Sequence, residues 1–177
     1  KKGSEALDIL RAVEIGALDK KARGFHDILM AEAGMLLADL SLTKRLNNAI
    51  ETFRFDPDTE KFARAKYLKG WLLVIQGEFA SAQEVLLEAY SNYLRCQQLE
   101  GAARAMNRMA LVSLRLGDTD AAVEYLTKSG NIYRRSGKKL RYAAVSNNLA
   151  YLYGLMGRLG ESLAEFVTKE NVLDELS

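Results

Sequence analysis

The side chains of this 177-residue chain that are suited to metal or covalent chemistry do not combine into a site. His26 is the single histidine and Cys96 the single cysteine, so neither has a second imidazole or thiol with which to share a metal, and no intrachain disulfide can form. No histidine is placed by the sequence to activate the Cys96 thiol, which reads as a buried, inert group. His26 reads as a surface or packing residue. The run GLMGRLG, with Gly154, Gly157 and Gly160, lacks the lysine and the serine or threonine of a phosphate-binding loop and follows no strand. It is a turn between helices. Asp56 and Asp58 flank the sole proline, Pro57, and belong to a turn rather than to an acid–base pair. The basic group Arg134, Arg135, Lys138, Lys139 and Arg141 is a solvated rim, or else a place where an acidic partner docks. With no nucleophile, base or metal set, the expectation is a binding module and not an enzyme, without cofactor or metal.

What the sequence does carry is repetition. Gly77, Gly117 and Gly157 stand forty residues apart, and their surroundings keep step: Ala82, Ala122 and Ser162, then Leu86, Leu126 and Phe166. Each glycine closes one apolar helical segment and opens another, where a left-handed glycine ends a helix. A two-helix repeat of this length indicates an α-solenoid. Composition agrees, with 49% hydrophobic residues, one proline and a predominance of good helix formers. Runs of alternating β-branched residues are missing. A net charge of +2 implies neither nucleic acid nor an anionic membrane as partner. No apolar run approaches the roughly 20 residues that span a bilayer, the start lacks a signal-peptide pattern, and the lone cysteine favours a reducing, cytoplasmic setting. Because the chain opens with Lys1, it is expected to be a piece of a larger multidomain protein.

The elements follow from the repeat. A single helical domain over 1–177 is expected, with an orphan helix at 3–18 and repeats at about 21–56, 57–97, 98–137 and 138–177. The helix pairs fall near 21–40 with 43–54, 59–76 with 79–97, 100–116 with 119–136, and 139–156 with 159–175. The segment AGMLLADL, Ala33 to Leu40, aligns with KGWLLVIQ, Lys69 to Gln76, so that Gly34 matches Gly70 and Met35 matches Trp71. Asp58 or Thr59 is a candidate N-cap, and Asp118 and Thr119 another pair. Small residues at Gly70, Ala110 and Ala150, facing Ala82, Ala122 and Ser162, allow the two helices of each hairpin to approach closely. Leu73, Tyr153, Leu86, Leu126 and Phe166 are expected to fill the space beside them.

Gly70, Leu73, Gly77, Phe79, Ala82, Leu86 and Ala89 resemble the tetratricopeptide repeat. Ala110, Gly117, Asp118, Ala122 and Leu126 continue the likeness, as do Leu149, Ala150, Tyr153, Gly157 and Phe166. These units exceed that family's usual length and are similar to those of MalT-type and Rap-type bacterial regulators and of kinesin light chains. The resemblance implies an all-α, right-handed α-solenoid of about nine helices, whose first helices line a concave groove that binds polypeptide. The family's groove places fall on Ile28, Ala31, Met35, Arg64, Tyr67, Trp71, Ile75, Arg104, Asn107, Leu111, Arg115, Asn147, Tyr151 and Leu155, with Asn148 beside Asn147. Tryptophan, tyrosine and arginine are the types enriched at interface hot spots. An asparagine amide can donate to a carbonyl and accept from an N–H of an extended peptide at once. Trp71 either packs between repeats or faces the groove, and Asn147 and Asn148 either bridge helices or hold peptide. The two-carboxylate clamp for chaperone tails does not line up.

Two functions follow from this. One is a peptide- or protein-binding sensor or scaffold within a larger regulatory protein, such as a transcription regulator. The other is self-association, for instance as a homodimer, through open terminal helices.

Overall fold

The computed structural model describes residues 2–35, 42–56 and 59–174. The described helices are α1 (Lys2–Arg11), α2 (Lys20–Met35), α3 (Thr43–Phe53), α4 (Thr59–Gln76), α5 (Phe79–Arg95), α6 (Leu99–Arg115), α7 (Thr119–Arg135), α8 (Lys139–Leu155) and α9 (Leu159–Asp174). The fold is all-α, built of tetratricopeptide-like helix hairpins, with no strand among the described residues.

From residue 77 onward one turn recurs every twenty residues. Gly77, Gln97, Gly117, Gly137 and Gly157 all have positive φ, between 58° and 87°. At each, the next amide donates back to a carbonyl five residues earlier: Glu78 to Leu73 at 2.9 Å, Gln98 to Tyr93 at 2.8 Å, Asp118 to Ser113 at 2.8 Å, Lys138 to Tyr133 at 2.9 Å and Arg158 to Tyr153 at 2.8 Å. This is the Schellman closure, which satisfies carbonyls that the end of a helix would otherwise orphan. Three of these turns stand where the glycine repeat puts them. The turns at Gln97 and Gly137, which lead from one hairpin to the next, have the same backbone. Asp118 caps α7, its carboxylate accepting from the Ala121 amide at 2.9 Å.

The chain groups into two compact units, 1–98 and 99–177. In the first, α2 pairs with α3 and α4 with α5, while α1 packs on α2. Ile28, Leu42, Leu46, Phe53, Leu68, Leu72, Leu86 and Tyr93 are its most deeply buried large side chains. Leu7, Met30 and Ala33 form a satellite cluster under α1. His26 is buried there, with its Nε2 2.9 Å from the Leu10 carbonyl oxygen. In the second unit α6 pairs with α7 and α8 with α9, and α7 packs on α8. Its core joins Ala103, Ala110, Leu126, Tyr133, Val145, Leu149 and Leu152. Two buried hydroxyls tie backbones across helices: Ser129 donates to the Ala103 carbonyl at 2.9 Å and Ser162 to that of Ala150 at 2.8 Å.

Several expectations are corrected. The first helix does not run to 18; it stops at Arg11, and Ile15–Ala17 form a separate 3₁₀ turn. At Gly70 the nearest side chain is Leu86: a Cβ on Gly70 would lie 2.6 Å from Leu86 Cγ. Phe166 is 42% exposed although its counterparts Leu86 and Leu126 are buried, because no described helix covers the far side of α9. The segment 36–40, Pro57 and the proposed Asp58 cap lie outside the described residues.

Candidate functional site

In the second unit, α6 and α8 run side by side over α7, and the gap between them is a trough of about 330 Å³. Asn107, Arg108, Leu111 and Leu114 come from α6, Asn148, Tyr151 and Leu152 from α8, and Leu126 rises from α7 as the apolar floor. Asn148 Nδ2 donates to Asn107 Oδ1 at 3.3 Å, bridging the two walls. That bond uses one donor and one acceptor of the pair. Among the described residues neither amide has another hydrogen-bond partner, so each keeps capacity for a third group. Tyr151, 59% exposed, stands on the α8 wall. An apolar floor beneath convergent polar groups is the general make-up of a ligand site.

Of the groove residues implied by the resemblance, this trough gathers Asn107, Leu111, Asn148 and Tyr151. Asn147 does not line the trough; it lines a second hollow with Leu140, Ala143, Ala144 and Lys169, and Asn148 borders both. Asn148 alone makes the bridge to Asn107. Arg104 is half-buried and Arg115 exposed on α6, and neither lines the trough.

The first unit distributes its implied groove residues differently. Ile28 and Ala31 are fully buried, and Met35 and Tyr67 nearly so; these four are core and do not form an open contact surface. Arg64 is already held, with its Nε donating to Glu32 Oε1 at 2.6 Å and a second guanidinium nitrogen donating to Glu32 Oε2. These two bonds, more than any other cause, hold the Arg64 guanidinium above its ordinary pKa. The same guanidinium lies 5.9 Å from the centre of the Phe25 ring. Trp71 is half-buried, tilted 48° against Tyr67 with ring centres 6.4 Å apart. Ile75 is exposed on the last turn of α4.

The resemblance did not point to Arg108, Leu114 or Leu152. Arg108 stands one residue from Asn107 and, at the forty-residue step, matches Asn148. That correspondence was the available signal. Among the described residues, no three or more of His, Cys, Asp and Glu come together to hold a metal. No described helix is long and apolar enough to cross a membrane.

Residues 101–166, which include every lining residue of the trough, match the family model for the tetratricopeptide repeat. Over this segment the chain is similar to that family. Solved structures extend the likeness of fold to the whole chain. The apo form of RapI aligns with a TM-score of 0.86 at 15% identity, covering 99% of this chain and 65% of that one. Aspartyl phosphate phosphatase F from Bacillus subtilis aligns at 0.87 and 11% identity, covering 99% and 49%. A Rap protein complexed with competence and sporulation factor gives 0.87 at 13% identity, covering 98% and 50%. This chain therefore spans about half to two-thirds of the length of those proteins. No curated protein sequence matches it.

Proposed function

We propose that this tetratricopeptide-repeat chain binds an extended polypeptide segment through the faces of its first helices, with the α6–α8 trough as an anchoring site. The observation that carries the reading is the asparagine bridge over an apolar floor: Asn107 and Asn148 keep spare donors and acceptors beside Leu111, Leu126 and Tyr151. Such amides hold peptide backbone, and the floor takes an apolar side chain. Arg104, Arg115 and Asn147 supply further contacts in the second unit, and Trp71 and Ile75 are the corresponding candidates within the first. The resemblance in fold to a Rap protein complexed with competence and sporulation factor supports a sensor or scaffold role within a larger regulatory protein. A transcription regulator of the cytoplasm is the form of that role we favour.

A peptide library panned against the chain supplies ligands whose affinities calorimetry measures. Losing two hydrogen bonds at about 1 kcal/mol each predicts a drop of roughly tenfold or more for Asn107→Ala/Asn148→Ala. Unchanged affinity in a folded double variant refutes the trough as the site.

The second reading, self-association, is favoured by α9, where Leu159, Leu163, Phe166 and Val167 make an exposed apolar stripe at helical spacing. Sedimentation in the same experiment separates the two. A parent that dimerises, beside a monomeric Phe166→Glu variant, favours assembly; a monomeric parent that retains its peptide favours the trough.

A further inference from the structure

The first unit holds a larger cleft, about 1010 Å³, on the side of its second helices: α3 and α5 form the walls and α4 the floor. Its origin lies in helix length. α3 has 11 residues where α5 and α7 each have 17. Six missing residues at about 1.5 Å apiece remove roughly 9 Å of covering helix. In the second unit the corresponding last turns of α7 lie on α8, where Gly130 faces Val145 and Tyr142 and Tyr133 joins the core. In the first unit α3 ends at Phe53, and the matching stretch of α4 becomes a floor.

The residues on that floor depart from the repeat. Lys66 and Lys69 occupy the positions of Met106 and Met109 in α6 and of Ser146 and Leu149 in α8, all four of which are buried. Lys66 pairs with Glu88 of α5, and Lys69 donates to the neutral Asn47 amide oxygen at 2.8 Å. Each carboxylate in the cleft is engaged: Glu51 by Arg54 at 3.5 Å, Asp56 by Lys21 at 2.8 Å, and Glu88 by Lys66. That leaves Lys69 and, on α5, Arg95 without a carboxylate partner among the described residues. Phe55, 91% exposed, stands at the rim.

We infer that this cleft binds an acidic peptide segment, whose carboxylates pair with Lys69 and Arg95 while an apolar side chain covers Phe55. Half-burial of Lys69 on the cleft floor makes its pair stronger than one on an open surface. Glu51 and Glu88, both exposed, suit a peptide, since their carboxylates can still accept from its backbone N–H groups. They oppose the unbroken negative charge of a nucleic acid. The site is distinct from the α6–α8 trough, and its failure or success leaves that reading untouched.

The test uses the whole chain and fluorescence anisotropy with a short labelled peptide, rich in aspartate and glutamate and carrying one phenylalanine. A sibling peptide has every carboxylate converted to an amide. The acidic peptide is expected to bind and the amide sibling to bind at least roughly tenfold more weakly. Lys69→Glu and Arg95→Glu each lose a similar factor, while Lys69→Arg retains parental affinity. Arg95 is exposed, so Arg95→Glu reports even if Lys69→Glu unfolds. Equal binding of both peptides, parental affinity in Arg95→Glu, or equally tight binding of duplex DNA overturns the assignment.

Discussion

Gln97 provides the sharpest test of the turn geometry. It is the one non-glycine residue with positive φ among the described residues, at 58°, in a turn that elsewhere uses glycine. A residue with a Cβ pays about 1–2 kcal/mol for the left-handed conformation, and glycine gives back about 0.5–1 kcal/mol through its larger loss of freedom on folding. The closing bonds, Gln97 amide to Leu94 at 3.0 Å and Gln98 amide to Tyr93 at 2.8 Å, are backbone bonds that the substitution leaves intact. Gln97→Gly is therefore expected to stabilise by about 0.5–1 kcal/mol, a rise in melting temperature of roughly 1–4 °C for a chain of this size. The reciprocal change is Gly117→Ala. A Cβ there meets nothing within 4 Å, so its cost is the same backbone difference in reverse, about 0.5–1 kcal/mol net. Urea and thermal unfolding followed by circular dichroism measure both. A neutral Gly117→Ala, or a Gln97→Gly that melts lower than the parent, refutes the reasoning.

Two further outcomes concern other sites. Gly70→Ala and Gly154→Ala make the same substitution within helices and should differ in sign. The first drives a Cβ to 2.6 Å from buried Leu86 Cγ and is expected to cost about 1 kcal/mol net, whereas the second meets only Ser162 Oγ at 3.6 Å and should gain about 0.5 kcal/mol; both are read from unfolding midpoints. Glu161 accepts two hydrogen bonds from Arg158, at 2.9 and 2.6 Å, and these hold its carboxyl below the ordinary glutamate pKa. It should stay ionised to lower pH than other exposed glutamates, and the stability it adds should be present above the ordinary glutamate pKa and fade as pH falls through its own. An NMR titration of Glu161 beside Arg158→Ala, in which the pKa returns upward, checks this.

The repeat, the helix pairs and three of five like turns were legible because glycine at positive φ leaves a visible mark. The turn at Gln97 left none: glutamine carries no preference for that conformation, and only the hydrogen bonds reveal it. The asparagine bridge was legible to within one residue. Asn107 and Asn147 share a repeat position, yet the contact between neighbouring helices runs to Asn148, since one residue turns a side chain by about 100° around the helix. Phe166 was misread because its repeat position implies a cover that α9 lacks among the described residues. The acidic-peptide cleft was hidden for a related reason. Lys66 and Lys69 look like ordinary surface lysines until the early end of α3 shows what they replace.

The recurring turn also bears on how such a chain can change its length over evolutionary time. Gly77, Gly117 and Gly157 close the first helices of their hairpins with one backbone conformation, and Gln97 and Gly137 close second helices with the same one. A crossover between two turns of the same class joins ends that already match in direction and bonding, and removes or duplicates forty residues without strain at the seam. A crossover within a helix rotates every downstream side chain off its face unless it conserves whole turns. The left-handed residues are thus natural points of genetic exchange, and gain or loss by hairpins is the change this backbone absorbs most readily.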